Sequence, residues 1–166
     1  MRLISEHLLI KPLSQYELEI LIQAIQEKEE FDIAQLDPND FTWEITKALE
    51  DTYLPAVKFH PNDYLLYTIW LLIDRIDQKM KGFISFNVSP GNKKKVELSY
   101  TFFKAPEDPA LISESLNTTL NWCKEKYNFE KFLLHGEYGA DYKDVFLKHG
   151  YEATNNGLYN KTLSPE

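Results

Sequence analysis

Residues 94–127 read KKVELSYTFFKAPEDPALISESLNTTLNWCKEKY, and this stretch decides the fold. Its first part alternates polar with apolar side chains, which predicts a strand whose apolar face carries Val96, Leu98, Tyr100 and Phe102. Its last part spaces apolar residues as an amphipathic helix does, at Ile112, Leu116, Leu120, Cys123 and Tyr127. A short loop between the two would place the helix N-terminus beside the end of the strand, where many folds bind anions.

The composition predicts one globular domain over residues 1–166. Apolar residues make up 43% of the chain and aromatic residues 14%, which is enough to build a core. A formal net charge of −8 argues against nucleic acids and acidic membranes as partners. The longest apolar run, residues 64–73, is too short to span a bilayer. The first residues lack the apolar core of a signal peptide, so we expect a cytoplasmic protein.

The flanking segments supply further strands and helices. On the N-terminal side we expect a strand over 3–13, a helix over about 15–29 behind a Ser14 capping box, a helix from Phe41 that ends at Pro55, and strands over 64–73 and 79–88. Residues 53–63 are expected to form a loop that either lines a substrate mouth or simply connects two elements. On the C-terminal side we expect a strand over 131–137, a helix over 141–149 ended by Gly150, and a hairpin of 151–153 with 158–163.

This order predicts an α/β (α+β) fold with a mixed, mostly antiparallel twisted sheet of six or seven strands and helices on both faces. The strand that ends at Phe103 should run parallel to the strand over 131–137, because a helix connects them. Trp70 should be largely buried in a central strand that is apolar on both faces.

Cysteine and histidine usage offers little reactive chemistry. Cys123 is the only cysteine and lies on the apolar stripe of the predicted helix, which favours a buried core thiol over a nucleophile. The four histidines, His7, His60, His135 and His149, show no metal-ligand spacing along the chain. We therefore expect no metal site.

Several short motifs occur in a fixed order along the sequence. They are the opening RLISEHLLIKPL, Glu97-Leu98-Ser99-Tyr100, Leu120-Asn121-Trp122 and Lys148-His149-Gly150-Tyr151. Together they resemble the GNAT superfamily of acetyl-CoA-dependent N-acetyltransferases, and within it the branch that includes the ribosomal-protein N-terminal acetyltransferases. The resemblance covers nearly the whole chain.

The resemblance implies acetyl transfer from acetyl-CoA to an amine of a small molecule or of a protein N-terminus. It implies that acetyl-CoA would contact Phe102, Phe103, Ala110, Leu111 and Ile112. Glu97 occupies a position that the family often uses for a general base acting through water, although a solvent-facing strand carboxylate is the other interpretation. Self-association into a homodimer is left open.

The loop between strand and helix departs from the family pattern. The family binds pyrophosphate on a glycine-rich loop, whose key positions fall here on Glu107, Ala110 and Ile112. Pro109 has no N–H to offer, and Glu107 and Asp108 add two negative charges. Asp108 and Pro109 instead suit the N-cap and first position of the helix.

The site of the family's frequent general-acid tyrosine is also altered, since Phe146 stands there. Two functions therefore remain open. One is an acetyltransferase that holds its cofactor through the strand backbone and the pantetheine cleft. The other is a catalytically inactive, degenerate GNAT domain that binds a ligand or a protein.

Overall fold

A twisted sheet of eight strands forms the centre of the described part of the chain. The computed structural model describes residues 1–88, 94–104, 110–129, 131–136, 147–148, 150–153 and 159–162. The strands are β1 (Leu3–Ile4), β2 (Leu8–Pro12), β3 (Ile69–Asp74), β4 (Met80–Val88), β5 (Lys95–Phe102), β6 (Lys131–Gly136), β7 (Glu152–Ala153) and β8 (Tyr159–Thr162). Their order in the sheet is β1-β2-β3-β4-β5-β6-β8-β7. Six of them have four residues or more, and the short β1 and β7 bring the total above the expected six or seven.

Helices cover both faces of this sheet. They are α1 (Gln15–Glu27), α2 (Trp43–Ala48), α3 (Leu54–Phe59) and α4 (Ala110–Lys126). The first three pack on the face that includes Leu71 and Phe83, and α4 packs on the opposite face, with Trp70 and Leu98. Trp70 is only 1% exposed, as expected for the central strand.

The parallel strand pair is confirmed. β5 and β6 pair continuously from Lys95 opposite Lys131 to Tyr100 opposite Gly136, whereas the other paired strands are antiparallel. β5 then continues for two residues beyond the end of β6 and leads towards the start of α4. The mixed, mostly antiparallel architecture predicted from the sequence is therefore correct.

The single strand expected over 3–13 is wrong, because the chain folds back on itself there. The Ser5 N–H donates to the Leu8 carbonyl at 2.9 Å, and the Ser5 hydroxyl accepts from the Leu8 N–H at 3.3 Å. These bonds close a turn, so β1 and β2 form an antiparallel hairpin. A serine side chain that bonds nearby backbone competes with continued strand pairing.

The prediction that Pro55 ends its helix is also wrong. A π-helical turn, Leu49–Tyr53, follows α2, and Pro55 then stands in the first turn of α3, where a missing N–H costs least. The helical path therefore continues to Phe59, into residues expected to be loop. Tyr53 lies at the end of the π turn.

The strand expected over 64–73 begins later than predicted. Residues Tyr64–Leu66 form a 3₁₀ turn, and β3 starts at Ile69. The indole N–H of Trp70 donates to the Leu65 carbonyl at 2.8 Å, which ties this turn to the strand behind it. The C-terminal hairpin is confirmed by the pairing of β7 with β8. Of the predicted helix over 141–149, the structure describes only Leu147 and Lys148. Gly150, which was expected to end that helix, has a φ of 84°.

Candidate active site

Glu97 lies in the middle of β5, on the face of the sheet opposite α4. In the sheet register it stands opposite Asn87 of β4 and Leu133 of β6. Alternation along β5 buries Val96 and Leu98 under α4 and leaves Glu97 partly exposed on the other face. A carboxylate placed in this way can be reached by a ligand on that face of the sheet.

Polar side chains surround Glu97 on the same face. Ser99 and Thr101 follow it along β5, and Ser85 of β4 lies directly opposite Ser99. The Tyr53 hydroxyl, from the π turn, donates to the Ser85 Oγ atom at 2.9 Å. We call these five residues, Tyr53, Ser85, Glu97, Ser99 and Thr101, the polar row. The sequence assigned Tyr53 to a loop, so it gave no direct signal for this contact.

Aromatic rings continue from the polar row towards the end of β5. The Tyr53 ring meets the Phe83 ring edge to face at a centroid distance of 6.4 Å. Phe83 in turn meets Phe103 at 6.3 Å, and Phe103 meets Phe41 at 4.8 Å. Phe103 is partly exposed, so its ring forms an apolar wall beside the row.

A cleft of about 670 Å³ opens at the end of β5, within the size range of small-molecule sites. Phe102, Phe103 and Leu111 are part of its lining, and all three were predicted to contact the cofactor. The other two predicted residues stand beside it in α4: Ala110 is exposed, and Ile112 is 1% exposed within the core. The Phe103 N–H donates to the Lys81 carbonyl at 3.1 Å, so Phe103 offers a ligand its ring rather than that donor.

Charged groups of both signs line the same cleft. The cations are Lys79, Lys81 and Lys104, and the acids are Asp37, Asp40 and Asp74. Burial and the neighbouring Asp37 raise the pKa of Asp40 above its ordinary value, while Lys104 and Lys81 act in the opposite direction. Lys81 also forms an ion pair with Asp77 at 3.3 Å. Within the described residues, Lys79 and Lys104 have no carboxylate within ion-pair distance, so both can meet an anionic ligand.

No protein-family model matches this sequence, and no curated protein matches it. Solved structures match it over nearly the whole chain. RimL, the alpha-N-acetyltransferase of ribosomal protein L7/L12 solved in complex with coenzyme A, is 16% identical with a TM-score of 0.63, and the match covers 98% of each chain. A Bordetella pertussis protein assigned to the GNAT-family acetyltransferases is 14% identical with a TM-score of 0.62, covering 98% of this chain and 99% of its own.

A third match is the Salmonella typhimurium acetyltransferase that modifies the N-terminal serine of L7/L12. It is 14% identical, with a TM-score of 0.58, and the match covers 96% of this chain and 97% of that one. The chain has the GNAT fold. The recognition of this fold from short sequence motifs is thereby confirmed.

Only some of the positions singled out by the GNAT resemblance are described. The structure describes Glu97 and Phe102 in β5, Phe103 directly after it, and the start of α4. Glu107, Asp108, Pro109 and Phe146 lie outside the described residues. What the sequence says of those four therefore stays a prediction.

The GNAT fold also brings together three side chains that no spacing motif could reveal. Glu6 and His7, in the turn between β1 and β2, meet Glu114 of α4, which is 107 residues from His7 in the sequence. His7 therefore lies between two carboxylates.

Among the described residues, no helix is long and apolar enough to cross a membrane.

Proposed function

We propose that this protein is a GNAT-type N-acetyltransferase that acetylates an amine of a small molecule or of a peptide N-terminus. The observation that carries the proposal is the position of Glu97. Glu97 is partly exposed at the centre of β5, where this strand pairs in parallel with β6, and it lies on the face of the sheet away from α4. In a chain with the GNAT fold, that is where a base for the amine is needed.

Acetyl-CoA, when bound, would supply an activated thioester: transfer would form a C–N bond to the amine, break the C–S bond and release coenzyme A as a thiolate that takes its proton from solvent. Glu97 accepts the proton that the amine loses, through an intervening water. Tyr53 and Ser85 hold the other side of the acceptor. Since the Tyr53 hydroxyl donates to Ser85, its oxygen keeps lone pairs that can accept from the amine N–H.

The spacing within the polar row suits this division of roles. Ser99 lies opposite Ser85, and Glu97 precedes Ser99 by two residues in β5. Two residues of a strand span roughly 6.7 Å. An amine held at the Ser85–Ser99 pair would therefore need one water between itself and Glu97, which suits a base that acts through water.

The cleft at the end of β5 fits the cofactor. Phe102 and Leu111 supply apolar walls, Phe103 borders both the cleft and the polar row, and Lys79 and Lys104 offer positive charge to phosphates. Because Phe103 lines the cleft and meets Phe83, whose ring meets that of Tyr53, a cofactor in the cleft would lie near the acceptor. We further propose a cytoplasmic location and leave the homodimer to be measured.

The decisive experiment measures acetyl-CoA binding and then release of free thiol by the full chain. Acceptors would be a serine-initiated peptide and a panel of primary amines. Glu97→Gln should lower kcat about 100-fold or more, because positioned general bases contribute at least that factor. Glu125→Gln, an exposed carboxylate on α4, is the matched control and should leave kcat unchanged.

One result would count against the acetyltransferase assignment, and another would count against the role of Glu97 alone. A chain that binds no acetyl-CoA at millimolar concentration would be a degenerate GNAT domain with another ligand. Equal kcat values for Glu97→Gln and Glu125→Gln would remove Glu97 from the reaction while leaving the acetyltransferase assignment in place.

A further inference from the structure

Asn87 of β4 stands beside Glu97 and is not part of the polar row. In the register of β4 and β5 it lies directly opposite Glu97, next to the pair formed by Ser85 and Ser99. Directly opposed residues of an antiparallel pair lie on the same face of the sheet, with their Cβ atoms about 4.5–5.5 Å apart. Asn87 therefore extends the polar row at the end where Glu97 lies.

Alternation along β4 supports this orientation of Asn87. Ile84 and Phe86 belong to the core on the α4 side of the sheet, and Phe83 belongs to the core on the other side. Ser85 and Asn87 follow Phe83 at the period of two that a strand imposes, so they share its face. Ser85 is only 6% exposed, whereas Asn87 is exposed. The polar surface is therefore covered at Ser85 and open to water at Asn87.

Few groups of the protein can orient a water beside Glu97. Of its two register partners, Asn87 and Leu133, only Asn87 is a polar residue type. The next residues of β5 on this face, Lys95 and Ser99, each lie two positions away, which is roughly 6.7 Å along the strand. Among the described residues, no lysine, arginine or histidine lies within ion-pair distance of Glu97. Asn87 is thus the polar partner that the register brings closest.

A carboxamide in this position suits the task of holding a water. It offers two N–H donors and one carbonyl acceptor. A water that relays a proton from the amine to Glu97 accepts from the amine and donates to the carboxylate. Well-ordered waters in proteins typically make about three hydrogen bonds, and Asn87 can supply the third.

We propose that Asn87 is a positioning residue that holds the water between the acceptor amine and Glu97. The inference rests on the acetyltransferase function proposed above, because the water has this role only in that reaction. As the C–N bond forms and the C–S bond breaks, the proton of the amine passes to the water, and a proton of that water passes to Glu97. Asn87 neither gains nor loses a proton. It therefore acts on the rate of transfer and not on the binding of either substrate.

The test compares Asn87→Val with Asn87→Thr in the thiol-release assay, with the acceptor on which the parent chain is most active. Valine and threonine have nearly the same shape and both suit a strand, but only threonine carries a hydroxyl that can bond a water. We expect Asn87→Val to lower kcat about tenfold, as for the loss of one hydrogen bond, with both KM values unchanged. Asn87→Thr should recover part of that loss.

A double variant tests whether Asn87 acts through Glu97. In the Glu97→Gln background, Asn87→Val should cause little further loss of kcat, because residues that serve one step are not additive. Circular dichroism of each variant checks that the fold is kept. A full tenfold loss in that background would show that Asn87 acts independently of Glu97 and would overturn the proposal.

Three further outcomes in an active parent chain would overturn the role of Asn87 alone. They are an unchanged kcat in Asn87→Val, an equal loss in the valine and threonine variants, and a higher acceptor KM at unchanged kcat. The last would make Asn87 part of the binding site for the acceptor. A parent chain that acetylates none of the acceptors would instead overturn the proposed function, and this inference with it, so the activity of the parent distinguishes the two failures.

Discussion

At the residue scale, Trp70 shows how much one buried side chain can contribute. It is 1% exposed, packs against the rings of Phe86 and Trp122, and donates its indole N–H to Leu65. Trp70→Ala should therefore lower the free energy of unfolding by about 3–5 kcal/mol. Chemical denaturation measures this loss. Trp43→Ala is the matched control, because Trp43 is 71% exposed, and an equal effect of the two substitutions would contradict the expected burial of Trp70.

Tyr53 allows a second residue-scale prediction, which concerns the acceptor. Tyr53→Phe removes the hydroxyl that bonds Ser85 and keeps the ring that packs on Phe83. We expect the KM for the acceptor to rise by about tenfold, as for the loss of one hydrogen bond worth about 1.5 kcal/mol, with the KM for acetyl-CoA unchanged. Steady-state kinetics with both substrates varied provides the measurement.

Tyr16→Phe serves as the control for that experiment, because Tyr16 is 69% exposed on α1. If both tyrosine variants behave alike, Tyr53 has no role in holding the acceptor. A rise in the KM for acetyl-CoA instead would place Tyr53 beside the cofactor.

At the element scale, the start of α1 gives a pH-dependent prediction. Burial acts to raise the pKa of Glu17, but hydrogen bonds from Ser14 and Lys11 outweigh it and hold that pKa below its ordinary value. A carboxyl group whose pKa is lowered in the folded state stabilises the fold at pH values above its unfolded pKa of about 4.3. This stabilisation is lost as the pH falls through the lower pKa of the folded state. Glu17→Gln should therefore be less stable than the parent at pH 7, with a difference that shrinks below about pH 4. Urea midpoints at several pH values check this, and a difference that stays constant with pH would contradict it.

Elements with a strong period could be predicted from the sequence, and elements decided by single contacts could not. The alternation in β5 and the apolar stripe of α4 lie in long runs, so both elements appear where expected. The hairpin of β1 and β2 depends on one serine, and the helical path through Pro55 depends on a π turn. Neither the serine turn nor the π turn changes the spacing of apolar residues along the sequence. A prediction based on that spacing therefore misses both.

The residues of the candidate site also fall into those that a sequence pattern can single out and those that depend on single contacts. The sequence singles out Glu97 because it belongs to a short motif on a predictable strand, and its catalytic role stays a prediction. Tyr53 reaches Ser85 only because the π turn extends the helical path, and Glu114 meets His7 only because α4 crosses the hairpin. Contacts between segments so far apart in the chain leave no local signal in a single sequence.

At the scale of the whole molecule, we expect the affinity for acetyl-CoA to depend on the residues that precede α4 in the sequence. Glu107 and Asp108 bring negative charge, and Pro109 lacks an N–H, so we expect millimolar acetyl-CoA to raise the melting temperature only slightly. A variant that combines Glu107→Arg, Asp108→Gly, Pro109→Lys and Ala110→Gly should show a larger shift, because it restores backbone donors and positive charge. Differential scanning fluorimetry measures both proteins. Micromolar binding by the unaltered chain would contradict the prediction and show that this loop does not limit affinity.

The two ends of the sheet have a consequence for self-association. Within the part of the chain that the structure describes, the outermost strands, β1 and β7, have two residues each. Such short edges present few unpaired backbone groups, and short edges protect sheets against templated strand addition and amyloid growth. We therefore expect two copies of this chain not to associate by extending the sheet from one copy into the next, because such an extension would rest on very few backbone hydrogen bonds of the described strands.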